Sequence, residues 1–507
     1  MHAEADSHRR KVQTQILGAT AMIAGSSVIG ILCSIVRIKA VAIMLGPAGV
    51  GLTGLYTSIA ELAQSLASLG IHSSGVRQIA EAAGLGDKAR IARTALVLQR
   101  GSVVLGLAGA ALLVAFSTPF STLTFGNGQQ AWGVALLGIA VFLRMLSGAQ
   151  AALLQGMRRI SDLTRMSILA AVFGTVFTVS LVFVFGKEGI VLSLIAMAAA
   201  SLLVSWYYSA KIPIDRVSVT SSEVREEAAA LLTLGFAFLT TGFLSLGAAY
   251  VIRIIVLWAD GVDAAGRYQA AWTIGGLYAG FVLQAMGTDF YPRLTAVCRD
   301  DAECTRLVNE QTQISLLLAG PGVIATLTFA PIVLHVFYSA EFESAVIILR
   351  WVCLGMLLRI AAWPMGYVVV AKGAQRTLIL SEVVATIVHV GLAWLLVRKF
   401  GADGAGAAFC GLYACYTVLI YVIVRRLSGF RWSPENWRLG LLLLAIAAFV
   451  FCVVTFLPPL IGSLIGGGIA VAIGISCLRR LLHILPPDLW PVPLRTWFYA
   501  TKLTREL

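Results

Sequence analysis

The chain has 507 residues, 59% of them hydrophobic and only 12% charged, with a mean hydropathy of +0.87 and a formal net charge of +13. Soluble domains carry about twice that charged fraction, which excludes a water-soluble fold of this length. The basic excess sits mainly in the breaks between apolar runs, so it reads as membrane topology and not as nucleic-acid binding.

The segment from Met1 to Lys11 is polar, and the apolar run behind it is too long for the core of a cleavable signal peptide. The first helix is therefore expected to stay in the mature protein. Apolar runs follow at 15–44, 50–71, 95–117, 131–155, 163–186, 189–210, 228–259, 264–288, 312–338, 345–371, 377–397, 403–424, 438–457 and 459–478. Runs of about twenty residues cross a hydrocarbon core of about 30 Å as helices. None alternates with the two-residue period of a barrel strand. The expectation is an all-α integral membrane protein with about fourteen transmembrane helices. The count is twelve if the last two runs, joined only around Pro458, do not both span.

Alternate loops differ sharply in charge. One set carries Arg9, Arg10 and Lys11; Arg77, Lys88, Arg90 and Arg93; Arg158 and Arg159; Lys211, Arg216 and Arg225; Arg293, Arg299 and Arg306; Lys372 and Arg376; Arg425, Arg426 and Arg431; and Arg479 and Arg480. The other carries only Lys187, Arg398 and Lys399. Basic loops face the cytoplasm, which places both termini there. The Pro- and Trp-rich end, from Pro486 to Trp497, reads as an interfacial tail.

The sequence also repeats itself. Ile35-Val36-Arg37-Ile38 recurs as Val251-Ile252-Arg253-Ile254. Gly46 and Gly51 recur as Gly261 and Gly266, Arg77 as Arg293, Arg144 as Arg359, and Gln155-Gly156 as Lys372-Gly373. An offset of 215 to 217 residues spans six helices, so the two halves enter the membrane in the same direction. The predicted organisation is an N-terminal lobe over 1–215, a C-terminal lobe over 216–430, and an extra helix pair with its tail over 431–507. Two parallel six-helix lobes of this kind place a substrate between them and rock to alternate access.

Several ionisable residues lie inside or at the edges of the runs: Arg37, Lys39, Glu61, Arg100, Arg144, Arg253, Arg267, Asp289, Arg350, Arg359 and Glu382. A charge at the centre of a spanning helix costs roughly 2.5–3.5 kcal/mol, so these side chains are expected to face protein or a water-filled cavity. Arg100, Arg267 and Arg350 lie near run ends, where a long side chain can reach the interface. Arg37 and Arg253, deep and repeat-related, are the first candidates for substrate binding. Arg144 and Arg359 follow by the same logic, with Lys39, Arg77 and Arg293 as further candidates. Arginine stays protonated and binds phosphate oxygens through two parallel hydrogen bonds, so such a cavity suits a diphosphate. Tyr56 and Trp272 hold matching repeat positions and offer faces for sugar rings, although ordinary packing explains them as well. Glu61 and Asp289 are the candidates for ion coupling.

Other signals lead nowhere. Gly49-Val-Gly-Leu-Thr-Gly54 matches a dinucleotide fingerprint but opens a membrane helix, where glycines serve tight turns and close helix packing. The eight cysteines show no paired metal-ligand spacing, His335 and His389 stand alone, and no catalytic constellation appears. No cofactor and no enzymatic activity are expected.

Leu45-Gly-Pro-Ala-Gly-Val-Gly-Leu52, Ser65-Leu-Ala-Ser-Leu-Gly-Ile71, Gly75-Val-Arg-Gln-Ile-Ala-Glu-Ala82 and Leu154-Gln-Gly-Met-Arg-Arg-Ile160 resemble the O-antigen translocases, the Wzx-type polysaccharide flippases. These belong to a superfamily with the multidrug extruders and the lipid II flippase. The specific resemblance covers about the first 170 residues. It implies movement of undecaprenyl-diphosphate-linked oligosaccharide units across the bacterial inner membrane, with polysaccharide polymerase and chain-length proteins as partners. Two helices beyond the usual twelve leave a lipid II flippase open. A cation-coupled drug exporter on the same fold would be expected to carry acidic spans, whereas arginines dominate here. A scaffold for assembly enzymes would tolerate neutral residues at Arg37 and Arg253.

Overall fold

The computed structural model describes residues 2–213 and 220–484, excepting the side chains of 2–24, 221, 234, 236–238, 240, 241, 278, 279, 281, 282 and 284–289. The Pro- and Trp-rich tail and Arg216 lie outside the described residues. Helices follow one another: α1 (His2–Ser68), α2 (Ile71–Leu85), α3 (Lys88–Ala115), α4 (Ser117–Phe125), α5 (Ala131–Gly156), α6 (Ile160–Phe185), α7 (Gly189–Ser209) and α8 (Ser221–Ala296). The order continues with α9 (Asp301–Thr328), α10 (Ala330–Phe337), α11 (Val346–Ala371), α12 (Gln375–Phe400), α13 (Asp403–Ser428), α14 (Pro434–Phe456) and α15 (Pro459–Ile484). The described residues contain no strand. Among the described residues, ten helical stretches are long and apolar enough to cross a membrane, or eleven if α9 and α10, bent by 83° at their junction, count as one. Large apolar side chains stand outward, with Trp132 75%, Phe183 78% and Phe456 80% exposed. On a soluble protein such a surface would aggregate, and here it suits lipid.

Three of these stretches are too long for one crossing. Gly25–Ser68 has 44 residues, Ile160–Ser209 has 50 and Gly242–Leu277 has 36. At 1.5 Å per residue they measure roughly 54–75 Å, against a core of about 30 Å. Each is broken by backbone chemistry. Gly46 takes φ 63, ψ −164 inside α1, a conformation essentially reserved for glycine. Pro47 follows it and disfavours the helical region for the residue before it. Gly261 takes φ 83, ψ −177 inside α8, and a three-residue 3₁₀ turn, Gly186–Glu188, separates α6 from α7. Gly46 and Gly261 are the glycines that the repeat aligns, and they break their helices in the same way.

The chain forms two compact units, Met1–Gln269 with Phe337–Glu341, and Ala270–Val336 with Phe342–Leu507. In the first, α5 packs between α3 and α7, α6 covers α7 and reaches α1, and α2 lies on α3 and α5. In the second, α11 packs between α9 and α13, α12 covers α13, and α14 and α15 lie on α9. Each unit has a dense apolar core. Ile79 and Leu154 are fully buried in one, Leu294 and Val369 in the other, and the equivalent positions are 215 residues apart.

One asparagine ties the start of the extra helix α14 to α9. Asn309 on α9 donates from Nδ2 to the Arg431 carbonyl (3.0 Å). Its Oδ1 accepts from the Ser433 backbone N–H (2.8 Å) and from Asn436 Nδ2 (3.0 Å). Three such bonds contribute roughly 2–4 kcal/mol together. Asn309→Leu should lower the melting temperature and open the 429–433 link to protease. An unchanged melting temperature would mean that contacts other than the Asn309 side chain hold α14.

Candidate functional site

Four of the charged residues singled out in the sequence gather in the first unit. Arg37 lies on α1 before its break and Glu61 after it, Arg144 on α5 and Arg253 on α8. Arg37 and Arg144 are electrostatic neighbours, and both Arg144 and Arg253 lie within the field of Glu61. The three arginines are half-buried and the Glu61 carboxylate is exposed. Two of the three guanidinium groups thus share the Glu61 carboxylate, and the third, Arg37, adjoins Arg144. Such a cluster repels itself at low local dielectric and favours an anion among its members.

Local packing aims each guanidinium. Arg37 Nη1 lies 3.4 Å from Met197 Sδ on α7, and Gly174 on α6 makes room against Met197. Arg253 is held twice: Nε donates to Gln269 Oε1 (2.7 Å) and Nη1 to the Ala249 carbonyl one turn back (3.0 Å). Gln269 reaches Arg253 past Gly54, where a Cβ would stand 3.0 Å from the Gln269 side chain. One residue group earlier, Gly51 meets the α8 backbone directly. A Cβ there would stand 2.4 Å from the Val262 carbonyl, and one on Gly266 would stand 1.9 Å from the Pro47 carbonyl. The glycines of the Gly49–Gly54 stretch therefore serve helix crossing and the aim of Arg253.

Arg359 lies in the second unit, 5.7 Å from the ring centre of Tyr413 and within the field of Glu382. The Tyr416 hydroxyl donates to Glu382 Oε1 at 3.4 Å. Tyr56 is buried, its hydroxyl donating to Gln130 Oε1 (2.6 Å) and its ring tilted on Phe125. Trp272 packs edge-on against Phe409 at 5.0 Å. Lys39 is half-buried, and Arg77 and Arg293 are exposed. The Asp289 side chain lies outside the described residues. Arg350 is buried against α14, with Nη1 donating to Thr455 Oγ1 at 3.4 Å. No group of three or more potential metal ligands occurs among the described residues.

Two features escaped sequence reasoning. Gln269 carries no signal of its own, because its role depends on two segments of kinked helix meeting. The Arg359–Glu382–Tyr413–Tyr416 group joins three helices, and only the spacing of Tyr413 and Tyr416, one helical turn apart, hinted at a shared face.

Comparison with known proteins places this arrangement in context. A family model described as polysaccharide biosynthesis protein matches residues 40–347, more than half of the chain. The lipid III flippase of Escherichia coli (strain K12) is 23% identical over 400 residues, covering 76% of this chain and 94% of its own. Among solved structures, the lipid II flippase in an inward closed conformation superposes with a TM-score of 0.66 at 15% identity, covering 91% of this chain and 100% of its own. An inward-facing multidrug transporter of the MATE family superposes with a TM-score of 0.62 at 18% identity, covering 79% and 95%. These structural likenesses carry the fold.

Proposed function

Because the chain belongs to the polysaccharide biosynthesis protein family, we propose that it is a flippase for undecaprenyl-diphosphate-linked oligosaccharide units. It moves them across the bacterial inner membrane by alternating access. The observation that carries this reading is the gathering of Arg37, Arg144 and Arg253, with the Glu61 carboxylate beside Arg144 and Arg253 and Arg37 beside Arg144. Guanidinium groups bind phosphate oxygens in pairs and keep their charge in a low-dielectric cavity. A diphosphate supplies the counter-charge that the cluster lacks, and the glycan beyond it needs only room. Arg359 in the second unit is proposed to join in a later stage of the passage, with Lys39, Arg77 and Arg293 meeting the headgroup on its way. The faces of Tyr56 and Trp272 that their aromatic neighbours leave uncovered are proposed to meet the sugar rings.

We read each over-long helical stretch as two spans, which gives fourteen with the α9–α10 pair as one. The lobes of the proposal are 1–215 and 216–430, followed by the 431–507 pair and tail. The matching breaks at Gly46 and Gly261 and the matching helix packing support that division. The basic loops place both termini in the cytoplasm. Polymerase and chain-length proteins are proposed partners, and Glu61 and Asp289 the proposed coupling groups. A cation-coupled drug exporter and a lipid II flippase are the competing readings on the same fold.

The test is a proteoliposome assay with a fluorescent undecaprenyl-diphosphate oligosaccharide, a cationic dye and lipid II, each with and without a pH gradient. Movement of the oligosaccharide alone supports the proposal. Movement of the dye without the oligosaccharide would replace it with the exporter. A rate indifferent to the pH gradient would remove the proton-coupling role of Glu61 and Asp289.

A further inference from the structure

A groove of about 400 Å³ lies within the second unit, bounded by α9, α11, α13 and α14. Leu316, Leu357, Val418 and Leu444 represent its apolar walls, and Trp432 and Asn436 close one end. From Asn436 to Leu444 the groove follows α14 for eight residues, roughly 12 Å at 1.5 Å per residue, with Trp432 just ahead of the helix. That is most of one leaflet, half of a core of about 30 Å. The closed end is polar in an unusual way. Trp432 Nε1 and Asn436 Oδ1, a donor and an acceptor, are buried without hydrogen-bond partners. Burying such groups unpaired costs free energy, so unpaired ones mark places where a partner belongs. Near this end stand Arg425, Arg426, Arg431 and Arg438, all exposed, against the exposed acids Glu435 and Glu310, the latter next to Asn309.

We propose that this groove holds one glycerophospholipid of the surrounding bilayer. An acyl chain fills the apolar length. The glycerol and ester region meets Trp432 and Asn436, with an ester oxygen accepting from Trp432 Nε1, and the phosphate lies among the arginines. The lipid is a resident that fastens α14 to α9, α11 and α13, and it is distinct from the transported cargo. A polyprenyl chain is far longer than the single-leaflet groove. The proposed topology makes the leaflet cytoplasmic, but the site itself does not depend on that topology or on the transport reading.

The experiment is native mass spectrometry of the detergent-purified full chain, with fragmentation to identify retained lipid. Gly440→Leu fills the groove: a Cβ at Gly440 meets only Leu316 Cδ1 at 4.0 Å, so the backbone is not pushed. Trp432→Phe keeps the ring and removes the N–H. The wild type should retain one glycerophospholipid, and Gly440→Leu should lower the retained fraction about tenfold, or by ~1.4 kcal/mol. Trp432→Phe should lower it by a smaller factor, and it keeps the test open if the leucine variant does not fold. A retained polyprenyl lipid, no retained lipid, or retention unchanged in both variants would overturn the proposal.

Discussion

Arg253→Ala should lower translocation of the lipid-linked oligosaccharide by roughly 10–100-fold while leaving the protein folded. A hydrogen bond to a charged group contributes about 1.5–3 kcal/mol, and each 1.4 kcal/mol is tenfold. Arg253 is the most firmly aimed of the three arginines, held by Gln269 Oε1 and the Ala249 carbonyl. Arg253→Lys should recover only part of the loss. A lysine keeps the charge but offers no planar fork, so it binds a phosphate as a point charge. Gln269→Leu should act in the same direction but more weakly, since it frees the guanidinium without removing it. Initial rates in proteoliposomes, with melting temperatures as the control for folding, check all three. A full rate in Arg253→Ala would move the phosphate site to Arg37 and Arg144.

Gly266→Ala should be the most damaging small substitution in the chain. The added methyl would stand 1.9 Å from the Pro47 carbonyl, and backbone cannot rotate aside as a side chain can. Over-packing costs about 1–3 kcal/mol where side chains yield, and more where they cannot. Gly51→Ala should act similarly, with its methyl 2.4 Å from the Val262 carbonyl. Gly51 and Gly266 are equivalent positions in the repeat, so the second part of α1 and the second part of α8 cross at matching points. Forcing them apart should lower both the melting temperature and transport. Gly247→Ala is the control, because a Cβ there meets nothing within 4 Å. It should be neutral or slightly stabilising, as alanine favours a helix over glycine by about 1 kcal/mol. Equal melting temperatures for Gly266→Ala and Gly247→Ala would show that the crossing yields easily.

Most of the helices were legible because lipid imposes one rule. A segment must be apolar for about twenty residues and must satisfy its own backbone. Hence 131–155, 189–210 and 403–424 in the sequence reappear as α5, α7 and α13, with ends displaced by a few residues. The breaks were less legible. Two separate runs, 15–44 and 50–71, are one helix with a glycine break, since Gly46-Pro47 bends the backbone without a loop. The run 312–338 is two helices meeting at 83°. The short helix α2 has no apolar run of its own in the sequence, because it is amphipathic and contributes only Ile71, Ile79 and their neighbours to the core. Within the site, the repeated arginines were visible because ionisable residues are costly in apolar runs. The partners that aim them were not. Gln269 and Met197 are ordinary residues until folding brings them to Arg253 and Arg37.

The central claim is that the arginine cluster recognises a diphosphate, and headgroup charge tests it most directly. The measurement is the initial translocation rate of one oligosaccharide carried on undecaprenyl diphosphate, compared with the same oligosaccharide on an uncharged undecaprenyl ether. The diphosphate form should move at least about tenfold faster, and Arg253→Ala should remove most of the difference. Equal rates for the two carriers in the wild type would contradict it.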